Sequence, residues 1–130
     1  MTDLIIFLVD GNPVPKQSTR FDGRGHAHTD PRVKAWQDIV SLRAKEAMQT
    51  REIIKGQVAV RLVFVLKTHR PMDCDNLSKG VLDAIKNIVF EDDSEVFNLH
   101  IVKHVMPKAN PGVMVEVRAG ELLPPFVREK

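Results

Sequence analysis

Residues Arg70–Glu95 read RPMDCDNLSKGVLDAIKNIVFEDDSE, and the spacing of their apolar side chains decides the fold. Leu77, Val81, Leu82, Ile85, Ile88 and Val89 fall on one arc at about 100° per residue, while Lys79, Asp83 and Lys86 fall on the opposite one. This pattern predicts a helix over residues 76–89. Before it, Gln57–Lys67 alternates, with Val58, Val60, Leu62, Phe64 and Leu66 on one face. After it, Val96–Met106 alternates again, with Phe97, Leu99, Ile101 and Val105 opposite Asn98, His100 and His104, the two histidines reading as a solvated face. A helix in the gap between two strands is compatible with a crossover connection.

The same stretch concentrates acid at both ends of the helix. Asp73 and Asp75 stand two apart in a segment that Pro71 biases toward extended backbone, where residues two apart point to one side. Paired carboxylates repel unless a cation or a shared proton lies between them, so the pair suits a hard divalent metal. Asp75 is also a suitable N-cap. Lys79 lies one turn after Asp75, and Glu91-Asp92-Asp93 forms a second acidic cluster. Each piece alone has a plainer reading: a cap, a solvated Lys79–Asp83 ion pair, an exposed turn. Their combination around one short helix is what points to chemistry.

The string Asp73-Cys-Asp75-Asn76-Leu77-Ser-Lys79, then Asp83-Ala84, then Glu91-Asp92-Asp93-Ser94-Glu95-Val96, resembles the signature of the RusA family of Holliday junction resolvases. Gly11-Asn-Pro13-Val-Pro15-Lys16 is similar to that family's amino-terminal region. The resemblance implies a homodimeric endodeoxyribonuclease that cuts four-way DNA junctions symmetrically in recombination and repair, in a bacterium or its phage. Asp73, Asp75 and Asp93, with Asp92 as a further ligand, would then hold Mg²⁺ or Mn²⁺, and Lys79 would act on the developing phosphoryl charge. The competing reading is a structure-specific DNA-binding protein without activity. A small-nucleotide phosphohydrolase is disfavoured by the lack of a glycine-rich phosphate loop.

Charge distribution agrees with a polyanionic substrate. The net charge is only +2, but residues 1–70 carry 12 basic and 7 acidic side chains, and residues 71–130 carry 7 and 10. Lys16, Arg20, Arg24, Lys34 and Arg70 are the candidate phosphate contacts. The single cysteine, Cys74, precludes an intrachain disulfide and suits a reducing cytoplasm. Leu4–Val9 is apolar but too short to span a bilayer, so no membrane association is expected.

Elsewhere, Leu4–Val9 reads as a central strand buried on both faces. Lys16–Asp30 reads as a long basic loop, in which His26 and His28 lack the further ligand pair a zinc site needs. Asp30-Pro31 opens a helix running to about Gln49, with Trp36 on its apolar stripe. Val113, Val115 and Val117 form a last strand, expected to pair antiparallel with Val96–Met106 across a turn at 107–112. The expectation is an α/β or α+β single domain over residues 1–120, with a mixed four-stranded sheet, two main helices and the order β-α-β-α-β-β. Residues 121–130 would form a C-terminal tail.

A straight helix over 76–89 would hold Asp75 and Asp93 about 21 Å apart at 1.5 Å per residue, far beyond a shared metal. Either the helix ends early and the chain folds back, or a second subunit supplies Asp93.

Overall fold

The computed structural model describes residues 4–16, 20, 21, 27, 28, 30–69 and 71–120. In chain order these form β1 (Leu4–Asp10), β2 (Arg20–Phe21), β3 (Ala27–His28), α1 (Pro31–Met48), β4 (Val58–Leu66), α2 (Cys74–Ile85), a 3-10 turn (Asp93–Glu95), β5 (Val96–Val105) and β6 (Gly112–Ala119). Apart from β2 and β3, which pair as a small separate hairpin inside the segment expected to be loop, the order is the predicted one.

Four strands make one mixed sheet in the order β1-β6-β4-β5. β4 runs parallel to β5 through the α2 crossover, and β6 runs antiparallel to both β4 and β1. β4 is central because it is apolar on alternate positions throughout: Val58, Val60, Leu62, Phe64 and Leu66 are all buried. α1 and α2 pack together on that face. Val33, Trp36, Val40, Ala44 and Met48 of α1 and Leu77, Val81, Leu82, Ala84 and Ile85 of α2 are buried. Asp30 caps α1 as predicted, its side chain accepting the Arg32 N–H at 2.8 Å, with Pro31 in the first turn.

Two strand expectations are corrected. β1 is an edge strand buried on one face only: Ile5, Phe7 and Val9 enter the core, whereas Leu8 on the other face is 68% exposed. Both helices lie on one side, and among the described residues no helix covers the other side of β1. β5 and β6 are not paired either. Residues 106–111 carry the chain past the end of β4, and β6 enters between β4 and β1. Six residues at about 3.3 Å each easily span two strand spacings of about 4.8 Å. The entry is tight: a Cβ at Gly112 would stand 2.3 Å from Val9 O, so only glycine fits there.

No helix is long and apolar enough to cross a membrane among the described residues. Residues 121–130 lie outside the described set.

Candidate active site

Extended backbone reaches Asp73 (φ −75°, ψ 140°), and α2 begins at Cys74, with the Leu77 N–H donating to Asp73 O at 3.0 Å. Asp73, not Asp75, is therefore the N-cap, and its carboxylate makes no capping bond. Asp75 lies in the first turn, where the unpaired N–H groups of a helix favour negative charge. The two carboxylates thus flank a helix start rather than share one side of an extended segment. Both are exposed, as is Lys79 one turn on, and Lys79 makes no ion pair among the described residues.

At its other end α2 stops four residues earlier than the apolar spacing predicts. Lys86 is extended (φ −64°, ψ 146°) and Asn87 takes a positive φ of 66°, a conformation asparagine tolerates better than most residues. The Ile88 and Val89 N–H groups turn back to Ile85 O at 3.1 and 2.9 Å, and Phe90 bridges to Ile54 and Lys86. Val89 and Phe90 are buried all the same. Their apolar character belongs to a compact turn under the sheet, which hydrophobic spacing alone cannot tell from another helical turn.

This early stop brings Asp93 to the Asp83 end of α2. Partial burial pushes the Asp93 carboxyl above its ordinary value, and the Asp83 carboxylate adds to this, against Lys86 and Lys16. Asp92 is shifted the other way, because its carboxylate accepts the Ser94 hydroxyl at 2.7 Å and the Ser94 N–H at 3.1 Å. Asp75 and Asp83 are eight residues apart, about 12 Å along the helix. One chain therefore folds back without bringing Asp93 to Asp73 and Asp75. Among the described residues no three His, Cys, Asp or Glu side chains stand close enough to hold a metal ion.

Between the two ends a strap crosses α2. The Lys16 N–H donates to Asn76 O at 2.9 Å, and the Lys16 ammonium pairs with the Asp83 carboxylate, whose other oxygen lies 3.9 Å from Lys86 Nζ. Asp83 is thus held by Lys16 and Lys86 and not by Lys79. Gly80 sits beneath the strap, with Val14 O 3.5 Å from where its Cβ would be. From the other side α1 braces the helix: Gln37 Nε2 donates to Gly80 O at 3.1 Å and Ser41 Oγ to Ala84 O at 2.8 Å. Lys103 of β5 reaches Met72 O at 2.7 Å, tying the segment before Asp73 to the far end of that strand. Apart from the Asp83–Lys86 contact, nothing in the sequence marks these contacts, which join residues 31 to 67 positions apart.

Of the candidate phosphate contacts, Lys34 is exposed in an i,i+4 pair with Asp38 at 3.2 Å. Lys16 is engaged as described. Arg20 falls in β2 and His28 in β3, their side chains outside the described set, as are Arg24, His26 and Arg70 entirely. His100 and His104 are exposed on the sheet face away from the helices, as expected of a solvated face.

Residues 10–118 match the family model described as Endodeoxyribonuclease RusA. An uncharacterized protein of Bacillus subtilis (strain 168), YqaN, is similar to this chain, with 28% identity over 142 residues that cover 87% of this chain and 96% of the relative.

Proposed function

This chain belongs to the RusA endodeoxyribonuclease family, and we propose that it cleaves four-way DNA junctions by metal-dependent phosphodiester hydrolysis. The observation that carries the reading is the pair of exposed carboxylates at the start of α2, that of Asp73 making no capping bond, with a lysine one turn on that has no ion pair among the described residues. Asp73 and Asp75 offer hard oxygen donors without a competing ion pair among the described residues, a donor set that fits Mg²⁺ or Mn²⁺. When bound, such an ion polarises a phosphoryl oxygen and makes hydroxide available at neutral pH. Lys79 offsets the negative charge that grows on the phosphoryl oxygens. Lys16, Arg20, Arg24, Lys34 and Arg70 hold the flanking phosphates, Lys16 by exchanging its carboxylate partner for a phosphate.

The site as proposed is shared between two subunits. Asp73, Asp75 and Lys79 come from one chain, and Asp93, aided by Asp92, comes from its mate. The separation of Asp75 from Asp93 along α2 supports this, and two identical sites suit two symmetric cuts. Mixing inactive Asp75→Asn and Asp93→Asn proteins tests it, because heterodimers with shared sites regain one intact site and nick the junction. No recovery on mixing means that each site is built within one chain.

The function itself is tested by comparing a mobile four-way junction with plain duplex and flap DNA, with and without Mg²⁺. Junction binding that ignores chelator, with no product in Mg²⁺ or Mn²⁺, would establish the non-catalytic binding reading instead.

A further inference from the structure

We propose that the free edge of β5 is the seam of the homodimer, two β5 strands pairing antiparallel about a two-fold axis to join the sheets. The inference specifies the partner surface of the shared site and, in its catalytic consequence, rests on that reading.

β5 is the last strand of the sheet, ten residues long, and β4 pairs with only one of its edges. Among the described residues no other strand pairs with it. Such an edge presents a row of unmade backbone hydrogen bonds that favours pairing with another strand. Beside the exposed His100, Lys103 and His104 it leaves apolar side chains open: Phe97 is 53% exposed, Leu99 41% and Val105 39%, and Met106 just after the strand 49%. Leu99 and Val105 lie in register with the buried Val60 and Leu66, so they are on the helix-covered face, yet α2 leaves them open. A second α2 beside the first would cover them.

Charge along the strand is self-complementary in the antiparallel sense. Glu91, Asp92, Asp93 and Glu95 precede β5, while Lys103 and His104 lie at its far end and Lys108 just beyond it. Antiparallel pairing sets the acidic end of one copy against the basic end of the other. Glu95 also holds a buried carboxylate oxygen with no hydrogen-bond partner among the described residues, at the end where the mate's basic end would lie.

The same operation completes the site. Lys103 binds Met72 O, so the Asp73 segment stands at the C-terminal end of β5, whereas Asp93 leads into its N-terminal end. Within one chain the two ends of β5 are about 25 Å apart, roughly eight residues at 3.3 Å, and about 12 Å of α2 separates Asp75 from the Asp83 end where Asp93 stands. Across an antiparallel seam the two ends become neighbours on strands about 4.8 Å apart, with the two α2 helices side by side. The exposed Leu4, Ile6 and Leu8 of β1 cannot serve this purpose, because they face away from the helices.

The test is disulfide mapping with single cysteines at positions 97–105, and at Leu8 as a control, in a Cys74→Ser background, with sedimentation of Phe97→Glu/Leu99→Glu. Oxidation should cross-link one or two adjacent positions near the middle of β5, with the yield falling toward both ends and none at Leu8. The double variant should keep its circular dichroism and melting transition while self-associating at least 100-fold more weakly. A monomer at all concentrations, a cross-link at Leu8, or a dimer indifferent to the double variant each overturns the seam. So does a full-length monomer that dimerises only when truncated after Gly120, since β5 would then be covered by the chain's own last ten residues. If β5 cross-links but the Asp75→Asn and Asp93→Asn mixture stays inactive, the seam stands and the shared site fails. If the mixture recovers without β5 cross-links, the shared site stands and the seam fails.

Discussion

Lys16 and Asp83, 67 residues apart in the chain, form an ion pair across the middle of α2, and the backbone N–H of the same lysine is bound to the carbonyl of Asn76, the residue next to Asp75. The segment after β1 is thereby fastened along the helix that carries the candidate catalytic carboxylates. Because the two side chains retain 37% and 23% exposure, solvent screens the pair and its worth is that of a partly exposed bridge. Asp83→Asn should cost about 1 kcal/mol and lower Tm by about 4 °C. An unchanged Tm in a scanning calorimeter would show that the strap is held by its backbone bond alone.

Removing a carboxylate at the start of α2 should separate binding from chemistry. Asp73→Asn and Asp75→Asn keep the side-chain shape, so junction affinity measured in chelator should change less than threefold, while cleavage in Mg²⁺ falls by at least about 10³. Lys79→Ala should lower kcat by about 10² with little change in KM. Near wild-type turnover by either asparagine variant would remove these residues from the mechanism.

Asp93 and Asp92 should affect stability with pH in opposite directions in metal-free buffer. The Asp93 carboxyl is raised above 3.8 by burial and by Asp83, so its contribution is fully present below that value and is lost as pH rises through the raised one. The Asp92 carboxyl is lowered by its bonds to Ser94, so its contribution is present above 3.8 and is lost as pH falls through the depressed value. Urea unfolding at a series of pH values should show Asp93→Asn more stable than wild type at pH 7 and Asp92→Asn less stable. The reverse order would mean that burial and Asp83 do not raise the Asp93 carboxyl and that Ser94 does not hold Asp92 as a carboxylate.

Gly80 separates helix propensity from strap contact. An alanine methyl there would meet Val14 O at 3.5 Å and Lys16 Cβ at 3.8 Å, ordinary contact distances. Gly80→Ala should therefore stabilise the protein by about 0.5–1 kcal/mol, whereas Gly80→Leu should displace the strap and destabilise it. Chemical denaturation of the two variants measures both signs.

Gly112→Ala should be far more damaging than its chemistry suggests. Its Cβ would lie 2.3 Å from Val9 O, a backbone atom held in the β1–β6 ladder, so one strand must shift. A loss of about 2–4 kcal/mol or failure to fold is expected, and a Tm within 2 °C of wild type would refute the close approach.

The amino-acid order was enough for the two helices and the four strands of the main sheet, though not for the short β2–β3 pair. Alternation at Val58–Leu66, the Asp30-Pro31 start of α1 and the apolar arc from Leu77 to Ile85 are local patterns, each produced by one element burying one face. It also brought Lys79 into view through helix spacing from Asp75, whereas the Asp73–Asp75 pair was read from an extended segment that proves to be the helix start. Tertiary structure decided what depends on which faces remain uncovered. Leu4–Val9 has the composition of a central strand, yet both helices pack on one side and β6 takes the place beside β4, leaving β1 at the edge. The end of α2 depended on Asn87 and on the contact of Phe90 with Ile54, not on the hydrophobic period, which continues through Val89. Asp83 acquired its partner from a strap 67 residues earlier, and that partner is set by the course of the chain after β1. Local periodicity reports which side of a residue is buried; what buries it is a long-range contact that no short stretch of sequence contains.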